Sequence, residues 1–223
     1  MVAKHALLAG ASGLVGGRCL ARLLDHQAYD RVTVLSRRPL ALSHAKLRVE
    51  LVAFEGLKSL GDRYDDIFCC LGTTIRKAGS REAFRCVDHD YPLTLAKLGK
   101  AAGAQQFLLV SALGADARSS VFYSRVKGDT ERDIAATGLS KVIFMRPSIL
   151  LGERHEQRPG ERAGIFVGKM IAPLLLGPLR KYRPIPADDV AAAMLYAANH
   201  EMRSGAIDSD EIARLAQREN AGK

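Results

Sequence analysis

Six short runs of apolar or β-branched residues, alternating with longer stretches, constrain this chain more than any other feature. They are Ala6-Leu7-Leu8-Ala9, Val32-Thr33-Val34-Leu35, Leu47 to Phe54, Ile67 to Leu71, Phe107 to Val110 and Val142 to Met145. A strand with one wet face alternates apolar and polar residues, whereas an unbroken apolar run belongs to a strand covered on both faces. The stretches between them have helical character: one to about Asp25, one over Glu82–Ala102 stopped by Gly103, and one over Phe122–Ala136 stopped by Gly138. The alternation predicts an α/β fold, a doubly wound parallel sheet. Beyond Leu151 it lapses, with five prolines before residue 187. Asp188 is then expected to cap a helix over Asp189–Ala198, and Asp208–Gln217 to form another.

The first apolar run leads into Gly10-Ala11-Ser12-Gly13-Leu14-Val15-Gly16. Between a strand and a helix, this spacing builds a phosphate-binding turn. Gly10 makes the tight turn, Gly13 lets backbone approach a pyrophosphate, and Gly16 lets the helix pack close to the sheet. The helix N-terminus then offers free N–H groups to the anion. The second run ends in Ser36-Arg37-Arg38-Pro39. A carboxylate there would bind a ribose 2′-OH, but two guanidinium groups suit a 2′-phosphate, which points to NADP(H) over NAD(H). Gly72, after the fourth run, would let backbone pass close to the cofactor. One domain is expected over 1–223, with a dinucleotide-binding core over 1–150. A small irregular C-terminal substrate or lid region would occupy 151–223.

Tyr123 and Lys127 lie one helical turn apart, on the same face. A lysine charge beside a phenol favours the tyrosinate. That suits alcohol–ketone hydride transfer, where Tyr123 gives a proton to the developing alkoxide or takes one from the alcohol. Lys127 can also donate to the nicotinamide ribose. Ser111 ends the fifth run, at the sheet edge where open α/β folds bind ligands. It is either a substrate-orienting hydroxyl or a plain strand-end serine.

Gly10–Gly16, Ser111, Tyr123 and Lys127 together resemble the short-chain dehydrogenase/reductase superfamily. More narrowly, the chain is similar to its atypical branch, in the group of Tat-interacting, oxidoreductase-like proteins and their bacterial relatives. The strings that carry the likeness are Phe68-Cys69-Cys70-Leu71-Gly72-Thr73-Thr74, Lys77-Ala78-Gly79, Val87-Asp88-His89-Asp90-Tyr91, Arg146-Pro147-Ser148-Ile149-Leu150-Leu151 and Arg154-His155-Glu156-Gln157-Arg158-Pro159-Gly160-Glu161. The likeness reaches to about Val190 and implies an NADP(H)-binding Rossmann fold with Tyr123 as proton donor or acceptor. It implies cofactor contacts at Ser12, Gly13, Leu14, Val15, Gly16, Gly17, Arg37, Arg38, Leu71, Gly72, Tyr123, Lys127, Leu150 and Arg158. The superfamily's catalytic serine often lies a residue or two beyond position 111, where this chain has Ala112 and Leu113.

Composition narrows the alternatives. A chain 48% hydrophobic and 26% charged can furnish a core and is not disordered. Its net charge of +9 is scattered, without interleaved aromatics, so no nucleic-acid face is expected. The four cysteines include no CxxC spacing, so neither a metal site nor a disulfide framework is expected. Ile165–Leu179 is broken by Gly168, Lys169, Pro173, Gly177 and Pro178. A transmembrane helix needs about 20 apolar residues, so no membrane span is expected. The first apolar run is too short for the core of a signal peptide, and a reducing cytoplasm is the expected location. The leading reading is an NADPH-dependent reductase of a small carbonyl compound. An NADPH-binding regulatory or protein-interaction module stands beside it. A sugar-nucleotide epimerase or dehydratase ranks third, since those resemble longer chains. The stretch Phe166–Leu179 leaves three roles open: a cleft cover, a homodimer contact, or core.

Overall fold

The computed structural model of the protein describes residues 3–152 and 176–222. The expected strands form as β1 (Lys4–Ala9), β2 (Tyr29–Ser36), β3 (Leu47–Leu51), β4 (Asp66–Cys69), β5 (Gln106–Val110) and β6 (Lys141–Arg146). The third run ends early, because Phe54 turns inward and begins a short 3-10 turn, Phe54–Gly56. Helices α1 (Leu14–Asp25), α2 (Ile75–Ala78), α3 (Arg81–Arg85), α4 (Tyr91–Ala101) and α5 (Phe122–Ala135) lie between the strands. The long helix expected over Glu82–Ala102 is divided at Cys86–Asp90 by a π turn.

After β6 come the paired two-residue strands β7 (Leu150–Leu151) and β8 (Ile185–Pro186), helix α6 (Ala187–Asn199), strand β9 (Gly205–Asp208) and helix α7 (Ser209–Ala221). Asp188 does not cap α6. Pro186, with φ −59°, takes that place, and Asp188 lies in the first turn. There its carboxylate binds the Arg22 guanidinium at 3.0 and 2.6 Å, tying α6 to α1.

Among the described residues the main sheet has seven parallel strands in the order β3-β2-β1-β4-β5-β6-β9. This is a doubly wound Rossmann-like fold. Alternate side chains of each strand feed two cores. Ala6, Leu8, Phe68, Leu108, Ile143 and Met145 pack with α1, α6 and α7. Leu7, Ala9, Ile67, Cys69, Phe107, Leu109, Val142 and Phe144 pack on the opposite face with α4 and α5. The double cover is why these strands read as unbroken apolar runs. At the N-terminal edge of the sheet, buried Asp66 accepts from Tyr29 Oη at 2.6 Å, Gln106 Nε2 at 2.5 Å and Lys4 Nζ at 3.1 Å. Lys4 and Gln106 also hold the Ala198 carbonyl at the end of α6. The opposite edge, where strands end in loops, carries the candidate site.

Candidate functional site

Strand order reverses between β1 and β4, and the Gly10–Gly16 turn leaves β1 at that switch point. Two of its glycines are sterically required. Gly10 has φ +91°, and a Cβ there would lie 2.5 Å from the Cys70 backbone. A Cβ on Gly16 would stand 2.0 Å from the Gly10 carbonyl oxygen. The turn is closed by the Gly13 amide donating to that carbonyl at 2.9 Å. No side chain caps α1 at Gly13, and no acidic residue lies in its first turn. The leading amides and positive end of the helix are thus left for an anion, and the cradle fits a dinucleotide pyrophosphate. Ser12 and Gly13 are exposed, whereas Leu14 and Gly17 are half-buried. Val15 is buried in the core, so it offers a ligand its backbone alone. Leu150 is half-buried on β7, and a Cβ on Gly152 would touch Leu14 Cδ1 at 2.7 Å, so this segment adjoins the turn.

At the end of β2, Ser36 Oγ donates to the Arg38 carbonyl at 2.6 Å and accepts from the Arg38 amide at 3.2 Å. Both Arg37 and Arg38 are exposed on this turn, and neither forms an ion pair among the described residues. Leu71 and Gly72 follow β4. A Cβ on Gly72 would lie 3.5 Å from Asp88 Oδ1 and 4.0 Å from Lys127 Nζ, so this glycine adjoins the lysine. Cys69 faces the core, and burial pushes its thiol up to about 12, as suits a packing residue.

Lys127 is buried on α5 with its Nζ 2.8 Å from Asp88 Oδ1. Burial alone would lower the ammonium; the Asp88 carboxylate, followed by Tyr123, more than reverses this and raises its pKa. Asp88 sits on the π turn. Its second oxygen accepts from the Thr73 amide at 2.8 Å, and its carbonyl accepts from Thr130 Oγ1 at 2.9 Å. One carboxylate therefore links the loop after β4 to α5. His89, next on the turn, is clasped by Asp90 at 2.7 Å and Asp133 at 2.9 Å.

Tyr123, one turn before Lys127, is partly exposed and packs on buried Phe84 with ring centroids 5.6 Å apart. It lines a cavity of about 620 Å³ together with Ala112, Leu113, Gly114, Arg146 and Tyr182. The Ser111 hydroxyl is engaged elsewhere: it is buried and donates to Glu131 Oε1 at 2.5 Å. Glu131 also holds Arg146, accepting from Nε at 3.0 Å and Nη2 at 2.5 Å. That bond to Glu131, against the opposing effect of burial, raises the guanidinium further above its ordinary value.

The structure thus brings together the glycine turn, Leu150, Gly72, Lys127 and Tyr123 along one sheet edge. Arg158 and most of Phe166–Leu179 lie outside the described residues. Asp88, Glu131 and Arg146 were not singled out from the sequence as site residues. Glu131 continues the four-residue spacing from Tyr123 and Lys127 on one helix face, a signal that was present. Asp88 had no such signal, because its partner lies 39 residues away and meets it only through the fold.

A family model described as NAD(P)H-binding matches residues 10–201. The chain belongs to the NAD(P)H-binding family. Its expected kinship with the atypical short-chain dehydrogenase/reductases also stands. It is 39% identical over 164 residues to Protein HTATIP2 of Rattus norvegicus, covering 71% of this chain and 67% of the relative. It is 33% identical over 224 residues to Protein FMP52, mitochondrial, of Eremothecium gossypii, covering 97% and 99%. Among solved structures, UDP-glucose 4-epimerase of Thermotoga maritima with UDP-glucose superimposes with TM-score 0.66 at 16% identity, over 96% of this chain and 82% of that one. A short chain dehydrogenase family protein of Francisella tularensis gives TM-score 0.63 at 13% identity, over 92% and 96%. Both likenesses concern the fold.

A nicotinamide cofactor is thereby supported. The expected cytoplasmic location is not: relatives from Eremothecium gossypii, Emericella nidulans and Aspergillus fumigatus are named mitochondrial, which points away from it. The lack of a disulfide spacing among four cysteines does not distinguish one compartment from the other. Among the described residues no helix is long and apolar enough to cross a membrane.

Proposed function

We propose that the protein is an NADP(H)-dependent oxidoreductase of the atypical short-chain dehydrogenase/reductase type, acting on a small carbonyl or alcohol. The observation that carries this reading is Tyr123 at the wall of a 620 Å³ cavity, with Lys127 buried one helical turn behind it. A bound nicotinamide supplies or accepts the hydride. Tyr123 gives its hydroxyl proton to the carbonyl oxygen in reduction and takes one from the alcohol in oxidation. Lys127 stays charged, with donors beyond the one facing Asp88 to offer a ribose hydroxyl or the phenol. Arg37 and Arg38, exposed and unpaired among the described residues, grip the 2′-phosphate. We further propose one domain over 1–223, with residues after about 150 completing a substrate side that begins on the dinucleotide-binding core. Lys181, Tyr182 and Asp208 in the cavity wall support that division.

The test is Tyr123→Phe. NADPH consumption should fall by about a hundredfold or more, the scale of a lost general acid, with NADPH binding nearly unchanged. Loss of binding would make the tyrosine structural and refute the role given to it. A second reading, an NADPH-binding module with little turnover, is favoured by one observation. Ser111 spends its hydroxyl on Glu131, leaving Ala112 and Leu113 at the wall. Selective NADPH binding without consumption across aldehydes, ketones and quinones would decide for it.

A further inference from the structure

The cavity beside Tyr123 has a largely apolar wall that also carries three charged side chains, of which Arg146 is the one with a rigidly held guanidinium. Leu113, Pro147 and Ile149 supply aliphatic surface and Tyr182 an aromatic face. Arg146 comes up from the end of β6 and remains partly exposed there, its side chain 27% accessible. Glu131 grips that guanidinium from one side only, through Nε and Nη2. A guanidinium has five N–H donors on two usable edges. With the Nε/Nη2 edge occupied, the Nη1/Nη2 edge has no hydrogen-bond partner among the described residues. Buried Glu131 fixes the plane of the fork, so little side-chain entropy remains to be lost when a ligand docks.

Two other charges share the wall, Lys181 and Asp208, and they face each other at 3.8 Å. Lys181 and Asp208 offset each other, as Arg146 and Glu131 do, and Asp208 and Asp116 also act on Arg146, so what recognises an anion here is the open guanidinium edge and not a surplus of positive charge. An end-on guanidinium edge matches a planar acceptor with two oxygens, the geometry of a carboxylate. An apolar or aryl body would fill the rest of a cavity whose volume is typical for a small-molecule ligand.

We infer that the substrate of this site is an oxo acid, a carbonyl compound with an apolar body whose carboxylate docks on the Nη1/Nη2 edge of Arg146. The inference rests on the oxidoreductase reading for its carbonyl and on the cavity alone for its carboxylate. In the reaction, the carbonyl carbon takes the hydride and its oxygen the Tyr123 proton, so the oxo acid becomes a hydroxy acid as the dinucleotide is oxidised. The carboxylate is unchanged throughout.

The test separates recognition from turnover. Benzoate and benzamide, alike in shape and different in charge, are titrated calorimetrically into protein saturated with NADP+, or into protein alone if it takes none. Benzoate should bind at least about tenfold more tightly, the scale of one charge-assisted pair. Arg146→Lys keeps the charge and a partner for Glu131 but loses the fork, and it should erase that preference while leaving NADP+ binding unchanged. Phenylglyoxylate should likewise be reduced at least about tenfold faster, in kcat/KM, than its methyl ester. Equal or weaker benzoate binding in the wild-type protein would overturn the inference, even if Arg146→Lys failed to fold. Equal reduction of acid and ester would overturn it too and leave the oxidoreductase standing. Benzoate selectivity without any turnover would uphold the carboxylate site on Arg146 and overturn the oxo-acid substrate together with the enzyme.

Discussion

Asp88→Ala should be the most informative lesion away from the glycine turn, because it strips a buried ammonium of the carboxylate that pairs with it. The Lys127 and Asp88 side chains are 5% and 1% exposed and meet at 2.8 Å. Removing one partner of such a pair leaves the other charge uncompensated, at a cost of about 3–5 kcal/mol. The Thr73 amide loses its acceptor in the same change. For a chain of this size the loss corresponds to a melting temperature lower by roughly 6–20 °C. Removing both charges, as in Asp88→Leu with Lys127→Met, should recover stability to within about 1 kcal/mol of wild type.

The pH dependence has a definite sign. Folding raises the Lys127 pKa, burial being outweighed by Asp88 and Tyr123. Its stabilising contribution is therefore complete below about pH 10.4, the unfolded value, and fades as pH climbs through the folded value. Without Asp88, burial lowers the lysine instead, so the variant's deficit should shrink between pH 7 and pH 10 as the ammonium sheds its proton. Urea denaturation of wild type, single and double variants across that range is the assay. A deficit under about 1 kcal/mol, or one that does not change with pH, would refute the view that this pair is buried and ionised.

Three further outcomes follow from the geometry. Gly16→Ala puts a Cβ 2.0 Å from the Gly10 carbonyl, so it should lose about 1–3 kcal/mol in denaturation and most dinucleotide affinity in calorimetry. Arg37→Ala with Arg38→Ala should weaken NADPH by about 10- to 100-fold with NADH nearly unaffected, since only the former carries the 2′-phosphate. Asp66→Ala removes the acceptor shared by Tyr29, Gln106 and Lys4. It should cost several kcal/mol in denaturation, roughly 3–5, while leaving cofactor specificity unchanged, because the network lies at the opposite sheet edge.

Much of the fold could be read from residues alone, and the misses share a cause. Ala6–Ala9, Phe107–Val110 and Val142–Met145 announced themselves because double burial leaves no polar residue in them. Strand β9 did not: of Gly205-Ala206-Ile207-Asp208 only Ile207 is buried, so the strand exists through pairing with β6 and carries little pattern of its own. The π turn escaped notice because one extra residue in a helix barely disturbs its apolar periodicity. Asp188 misled because an acidic residue near a helix start suits both the cap and the first turn, and Arg22 on α1 makes the first turn the better place. At the site, the glycine turn and the Tyr123–Lys127 pair are local patterns and were legible. Asp88 against Lys127, and Ser111 against Glu131, are contacts across elements. They were invisible until the elements were docked.

The most direct test of the account is a calorimetric titration of the purified protein with NADPH and with NADH. Exothermic one-to-one binding of NADPH, at least about tenfold tighter than NADH, is the result expected from Arg37 and Arg38 beside an uncapped helix N-terminus. Equal affinity for the two would contradict the 2′-phosphate reading. No binding of either would contradict the site itself.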